Sequence, residues 1–174
     1  MNISISESGM MFGPFAEEEV YQIEKSNLHQ EVDQGAKHVK TVEFILKSGV
    51  PSLQFVEAKS SSPRPAAAGG TAEKFDGFIE EICDKFLHSL NLYCSAVLKR
   101  HGKKNDLPLP FREMDYSQTK IIFVLVIHGH RESWLRPISE ALRKRMAAYL
   151  SIWEAKVTAI NEREAVKRGL IRNP

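Results

Sequence analysis

The sequence predicts an α/β fold: a mixed central sheet containing an antiparallel hairpin and flanked by helices. Three patterns carry that prediction. Residues 38–47 alternate with period two, residues 73–100 repeat apolar side chains at helical spacing, and residues 119–128 are apolar on both faces. Taken in order, residues 1–13 read as a loose N-terminal arm, and Gly13-Pro14 breaks the chain. Phe15 to Ser26 has helical spacing, with Ala16, Val20 and Ile23 on one side and Glu17, Tyr21 and Glu24 beside them. Residues 27–37 are polar and end near Gly35, a turn signal. In the strand over 38–47, Val42, Phe44 and Leu46 point one way, and Val39, Thr41, Glu43 and Ile45 the other.

Ser48-Gly49-Val50-Pro51 supplies a turn, and a second strand follows over 52–60. Residues 60–72, rich in Ser, Pro, Ala and Gly, read as a mobile loop. The helix over 73–100 carries Phe75, Ile79, Ile82, Phe86, Leu90, Tyr93 and Val97 as one stripe and ends at His101-Gly102. Pro108 and Pro110 mark an irregular connection to the central strand. Pro137 suits the first turn of a helix reaching Trp153, with Leu135, Ile138, Leu142, Met146 and Tyr149 inward. A short strand over 157–160 and a terminal helix over 162–169 complete the chain.

Its 174 residues fit a single domain, 1–174, with enough length to bury a core. A chain 43 % hydrophobic and 26 % charged is not composed like a disordered one. The longest apolar run, Ile121 to Ile127, is far short of the roughly 18 residues a membrane helix needs. Lys25 is the first basic residue, so a secretory leader's positive region is missing and a cytoplasmic location is expected. Cys83 and Cys94 fall on one helix about 16 Å apart, too far for a mutual disulfide. Net charge is +2, split into −6 over residues 1–98 and +8 over 99–174. That asymmetry is a weak pointer to a polyanionic partner, since a solvated helix face gives the same count.

Candidate chemistry gathers on the hairpin. Glu57 and Lys59 project from one strand face. With Ser48 to Val50 as the loop, Lys47 faces Pro51 and Glu43 faces Phe55. Glu43 is then one diagonal, roughly 7–8 Å, from Glu57. Neighbouring carboxylates repel unless a hard cation such as Mg2+ or Mn2+ lies between them. A lysine alongside would steady negative charge developing on a phosphate. A one-residue change of register would turn Glu43 away.

These residues resemble the signature of the PD-(D/E)XK nuclease superfamily, whose fold is called restriction-endonuclease-like. Its members carry an acidic residue on one strand and E-x-K on the next. Here Glu43 stands in Thr-Val-Glu-Phe-Ile-Leu, and Glu57-Ala58-Lys59 stands in Phe-Val-Glu-Ala-Lys-Ser-Ser. The resemblance spans residues 15–128. It implies an endo- or exonuclease that hydrolyses phosphodiester bonds in DNA with Mg2+ or Mn2+. Glu43 and Glu57 would be metal ligands joined by the Ala58 carbonyl and a helix glutamate, Glu24 with Glu17 as substitute, and Lys59 would be catalytic. The chain has Glu rather than Asp first, Val42 in place of the named proline, and two strands rather than three before the long helix.

Other features point elsewhere. Glu154-Ala155-Lys156 repeats the tripeptide with no acidic strand before it. His128 and His130 flank Gly129 at a strand end, with no further ligand to complete a zinc pattern. Phosphate-loop, serine-elbow and H-E-x-x-H motifs are absent, which weakens the case for nucleotide hydrolases, serine hydrolases and metalloproteases. The rival readings are a non-catalytic nucleic-acid-binding or protein-interaction scaffold on the same fold, and a homodimer built along the helix at 73–100.

Overall fold

The computed structural model describes residues 1–36, 38–49, 51–65, 69–102 and 105–172. Five strands form the main sheet, in the order β3 (Val20–Tyr21), β4 (Phe44–Ser48), β5 (Ser52–Lys59), β6 (Lys120–Ile127) and β7 (Lys156–Asn161). β3, β4 and β5 run antiparallel, whereas β5, β6 and β7 run parallel. The mixed sheet flanked by helices is thus present, and β6 lies next to last in it, beside β5. Both faces of β6 are covered, as its unbroken apolar run requires.

Alternation along β5 divides the core. Leu53 and Phe55 face one cluster with Phe86, Leu90 and Phe123. Val56 and Ala58 face a second with Phe12, Phe44 and Ile160. The first face is covered by α2 (Ala72–Val97) together with α4 (Glu132–Arg145). Ile79, Ile82, Phe86, Leu90 and Tyr93 of α2 are all buried there. The apolar stripe that a homodimer seam would need is therefore spent on the chain's own sheet.

The second face is covered by a hairpin where a loose arm was expected. β1 (Asn2–Glu7) pairs antiparallel with β2 (Met10–Ala16). Ile3 and Ile5 alternate with Asn2, Ser4 and Ser6, a period of two too short to stand out. Ser8 and Gly9 both take positive φ, 52° and 79°, as a tight hairpin turn requires. Pro14 lies inside β2 instead of ending an arm.

The helix expected over Phe15–Ser26 is also absent. Single 3₁₀ turns at Glu17–Glu19 and Ile23–Lys25 bracket β3. Val20 enters one core cluster and Tyr21 the other, which is strand alternation, and burying both outweighs helical spacing. The first helix instead covers the stretch read as polar turn. α1 (Asn27–Ala36) is opened by Ser26, whose hydroxyl accepts from the His29 amide at 3.0 Å.

Later elements differ in detail. Residues 38–43 precede β4 without strand pairing, and the Val42 amide donates to Ser89 Oγ at 2.8 Å. β4 pairs with β5 two residues out of the expected register, since Lys47 faces Leu53 and Phe44 faces Val56. A shift of two keeps every side chain on its expected face. Residues 60–65 and 69–71 form neither helix nor strand. A one-turn helix, α3 (Leu109–Arg112), occupies the proline connection. α4 begins five residues before Pro137, which therefore lies inside it, and the helix breaks at Met146 before α5 (Ala147–Ile152). That break turns Tyr149 outward, 43 % exposed. α6 (Glu162–Lys167) follows β7. On the free side of β7, Ser139 of α4 accepts the Ala159 amide on its hydroxyl at 2.9 Å. No helix among the described residues is long and apolar enough to cross a membrane.

Candidate functional site

The face of β5 that carries Leu53 and Phe55 continues into Glu57 and Lys59, so the strand drives a carboxylate into the space below α2. Glu57 is fully buried. Continued by one residue, the β4–β5 register sets Glu43 directly across from Glu57, closer than the expected diagonal. The 3₁₀ turn at Ile23–Lys25 brings in a third carboxyl, because Glu24 lies near enough to Glu43 to help push its carboxyl up. The helix assumed for Glu24 is absent, yet the residue arrives. Glu17, in the preceding turn, is exposed and has its backbone amide on the Met1 carbonyl at 2.9 Å.

Two side chains that sequence reasoning did not single out complete the cluster. Lys85 Nζ of α2 lies 2.7 Å from Glu57 Oε1 and 3.9 Å from Glu43 Oε1. Glu81, one helical turn earlier, accepts from Lys59 Nζ at 2.7 Å, while that ammonium lies 3.5 Å from Glu57. The signal was available: positions 81 and 85 are polar residues four apart beside the stripe of Ile82 and Phe86, which places them over the sheet. Only the fold shows that the strand below them carries acids.

The electrostatics follow from burial. Burial, then Glu57 and Glu24, push the Glu43 carboxyl up to about 8 against the pull of Lys85. Burial likewise raises Glu57 against Lys85 and then Lys59. Burial would lower the Lys59 ammonium, but the hydrogen bond to Glu81 and the attraction of both acids raise it. The same hydrogen bond holds Glu81 below the usual carboxylate range. Carboxyls gathered under a helix are tolerated because protons and ammonium groups lie among them.

Despite the 2.7 Å approach of Lys85, neither Glu57 oxygen has a partner in hydrogen-bond geometry. A buried carboxylate with unsatisfied oxygens, facing a second and third carboxyl, is a hard-oxygen donor set of the kind that suits Mg2+ or Mn2+. As they stand, no three His, Cys, Asp or Glu side chains among the described residues close around one point as an ion would need. The ammonium of Lys85 lies between Glu43 and Glu57 instead. The Ala58 carbonyl accepts a hydrogen bond from Ser8 Oγ at 3.0 Å, at the tip of the β1–β2 hairpin.

The remaining candidates lie apart. Glu154 is an exposed turn residue, and Lys156 opens β7 at the opposite end of the parallel strands from Glu57. His128 Nδ1 lies 3.0 Å from Glu162, and His130 Nε2 lies 3.1 Å from Ser62 Oγ, so the two histidines have different partners. Comparison of the chain with protein-family models, with curated proteins and with solved structures gives no match.

Proposed function

We propose that this chain is a metal-dependent nuclease hydrolysing phosphodiester bonds in DNA, with a site of the PD-(D/E)XK type. The observation that carries the reading is the convergence of Glu24, Glu43, Glu57 and Lys59 below α2, from three separate stretches of backbone. Glu43 and Glu57 would hold Mg2+ or Mn2+, with Glu24 oriented behind Glu43. The ion would supply Lewis-acid polarisation of the phosphate and an activated water. Glu81 and Glu57 hold Lys59 charged from two sides, so its ammonium can offset negative charge gathering on a phosphate oxygen. Admitting an ion between Glu43 and Glu57 requires the flexible Lys85 side chain to swing away.

A second reading rests on that same lysine. With Lys85 already bridging Glu43 and Glu57, the cluster is also a closed ion network suited to a non-catalytic binding scaffold. One experiment separates the two. Plasmid and linear DNA are incubated with the purified protein in Mg2+, Mn2+ or EDTA. Cleavage should need the metal, and Lys59→Ala should slow it by at least about 100-fold. Glu154→Gln, in the second tripeptide, should leave it unchanged. Glu57→Gln should also abolish cleavage, but Glu57 is buried, so its fold is checked by circular dichroism. No cleavage of any DNA in either metal would favour the scaffold, and cleavage that persists in EDTA would overturn the metal requirement.

A further inference from the structure

The C-terminal ends of β5 and β6 lead into a second group of side chains that the carboxylate site does not use. The His128 amide donates to the Lys59 carbonyl at 2.9 Å, so the two strands leave the sheet together. From β5 the chain passes through Ser62, held 3.1 Å from His130 Nε2, to Arg64 and the buried Pro65. From β6 it passes through His130, packed edge-on against Trp134 at 5.4 Å, to Arg131. The Arg64 and Arg131 guanidinium carbons lie 5.5 Å and 5.3 Å from the centroid of the Trp134 ring.

Two cations on one indole repel each other, and the cation–π attraction of each is worth only about 0.5–1 kcal/mol at an exposed site. Among the described residues neither arginine has a carboxylate partner, whereas Arg136, Arg145, Arg163 and Arg168 each have one. Arg131 also occupies the N-cap of α4, a 14-residue helix with no side-chain cap, so first-turn amides add positive potential beside the guanidiniums. The one acid of that turn, Glu132, is turned to Arg163 at 3.0 Å. Arg64 is held in place by backbone packing: a Cβ on Gly70 would lie 1.8 Å from the Arg64 carbonyl oxygen, and the Gly70 amide donates to the Pro65 carbonyl at 3.2 Å.

We propose that Arg64 and Arg131, held against Trp134, form an anion clamp that grips a backbone phosphate of a DNA strand passing over the ends of β5 and β6. The paired forks suit phosphate oxygens, and a neighbouring indole suits a nucleic-acid strand. That the anion belongs to DNA rests on the nuclease reading; that the clamp binds an anion rests on the geometry alone.

The test is anisotropy titration of a fluorescent 20-nucleotide oligothymidylate in EDTA, where cleavage plays no part. Arg64→Ala and Arg131→Ala should each weaken binding about tenfold and flatten the log–log salt slope by about 0.7. Gly70→Ala should weaken it as well, because it displaces Arg64 without removing charge. Arg136→Ala, an exposed arginine on the same helix, should change nothing. In a Trp153→Phe background, Trp134 emission should respond to the oligonucleotide and lose that response in the double arginine variant. A folded double variant that keeps the parent affinity and salt slope would overturn the clamp. Arginine-dependent binding of polyglutamate without binding of the oligonucleotide would overturn the DNA assignment. Loss of cleavage in Mg2+ with clamp-dependent binding intact would count against the nuclease reading alone.

Discussion

At the scale of single residues, the site turns on a buried acid and the ammonium beside it. Glu57 has no exposed surface, and Lys85 is its nearest cation. Lys85→Met should destabilise the fold by about 3 kcal/mol in urea denaturation, because it strips the closest partner from a buried charge. Lys85→Met combined with Glu57→Gln should recover much of that loss, since charge and counter-charge leave together. If an ion takes the place of the ammonium, Mn2+ should raise the melting temperature of Lys85→Met more than that of the parent. Equal shifts would place the ion elsewhere. Glu43, Glu57 and Lys59 were legible in the sequence because strand parity survives a two-residue slip in register. Lys85 and Glu81 were not, since their role depends on which strand α2 crosses, a contact between distant segments that no local pattern encodes.

At the scale of elements, legibility followed the length of the pattern. α2 and β6 have long periodic runs and were found in place, and so was the β4–β5 hairpin, though with β4 starting at Phe44 and the register shifted by two. The N-terminal segments were not, because β3 has only two residues and the β1–β2 hairpin reads as polar between its apolar positions. What holds that hairpin is tertiary: Phe12 is fully buried and meets Phe44 edge-on at 5.4 Å. Phe12→Ala should therefore cost about 3–5 kcal/mol by chemical denaturation. A near-neutral effect would mean that the N-terminus does not pack in solution. The hairpin also matters to the site, since Ser8 at its tip holds the Ala58 carbonyl between Glu57 and Lys59. β3 adds a third strand to the main sheet ahead of α2, and its neighbouring turn carries Glu24 towards Glu43.

At the scale of the whole molecule, α2 packs against the sheet along most of its length and should not open alone. Cys83 on its buried side gives a way to see this, because burial pushes the thiol up to about 11. Alkylation of Cys83 by iodoacetamide at pH 8 should be negligible in native buffer. Across a urea series it should rise with the same midpoint as the loss of ellipticity. Reaction well before that midpoint would show α2 detaching while the sheet persists. The sheet itself has ends that differ in kind. β3 is short, and beside it Asp106 accepts from the Tyr21 hydroxyl at 2.9 Å. At the far end, the Ala159 amide is already taken by Ser139. A strand from another molecule could add to β7 only by prising that buried hydroxyl away and leaving it without a partner. The β7 edge is thereby guarded against a sixth strand. Crowding during synthesis should therefore not draw copies of this chain into fibres along that edge.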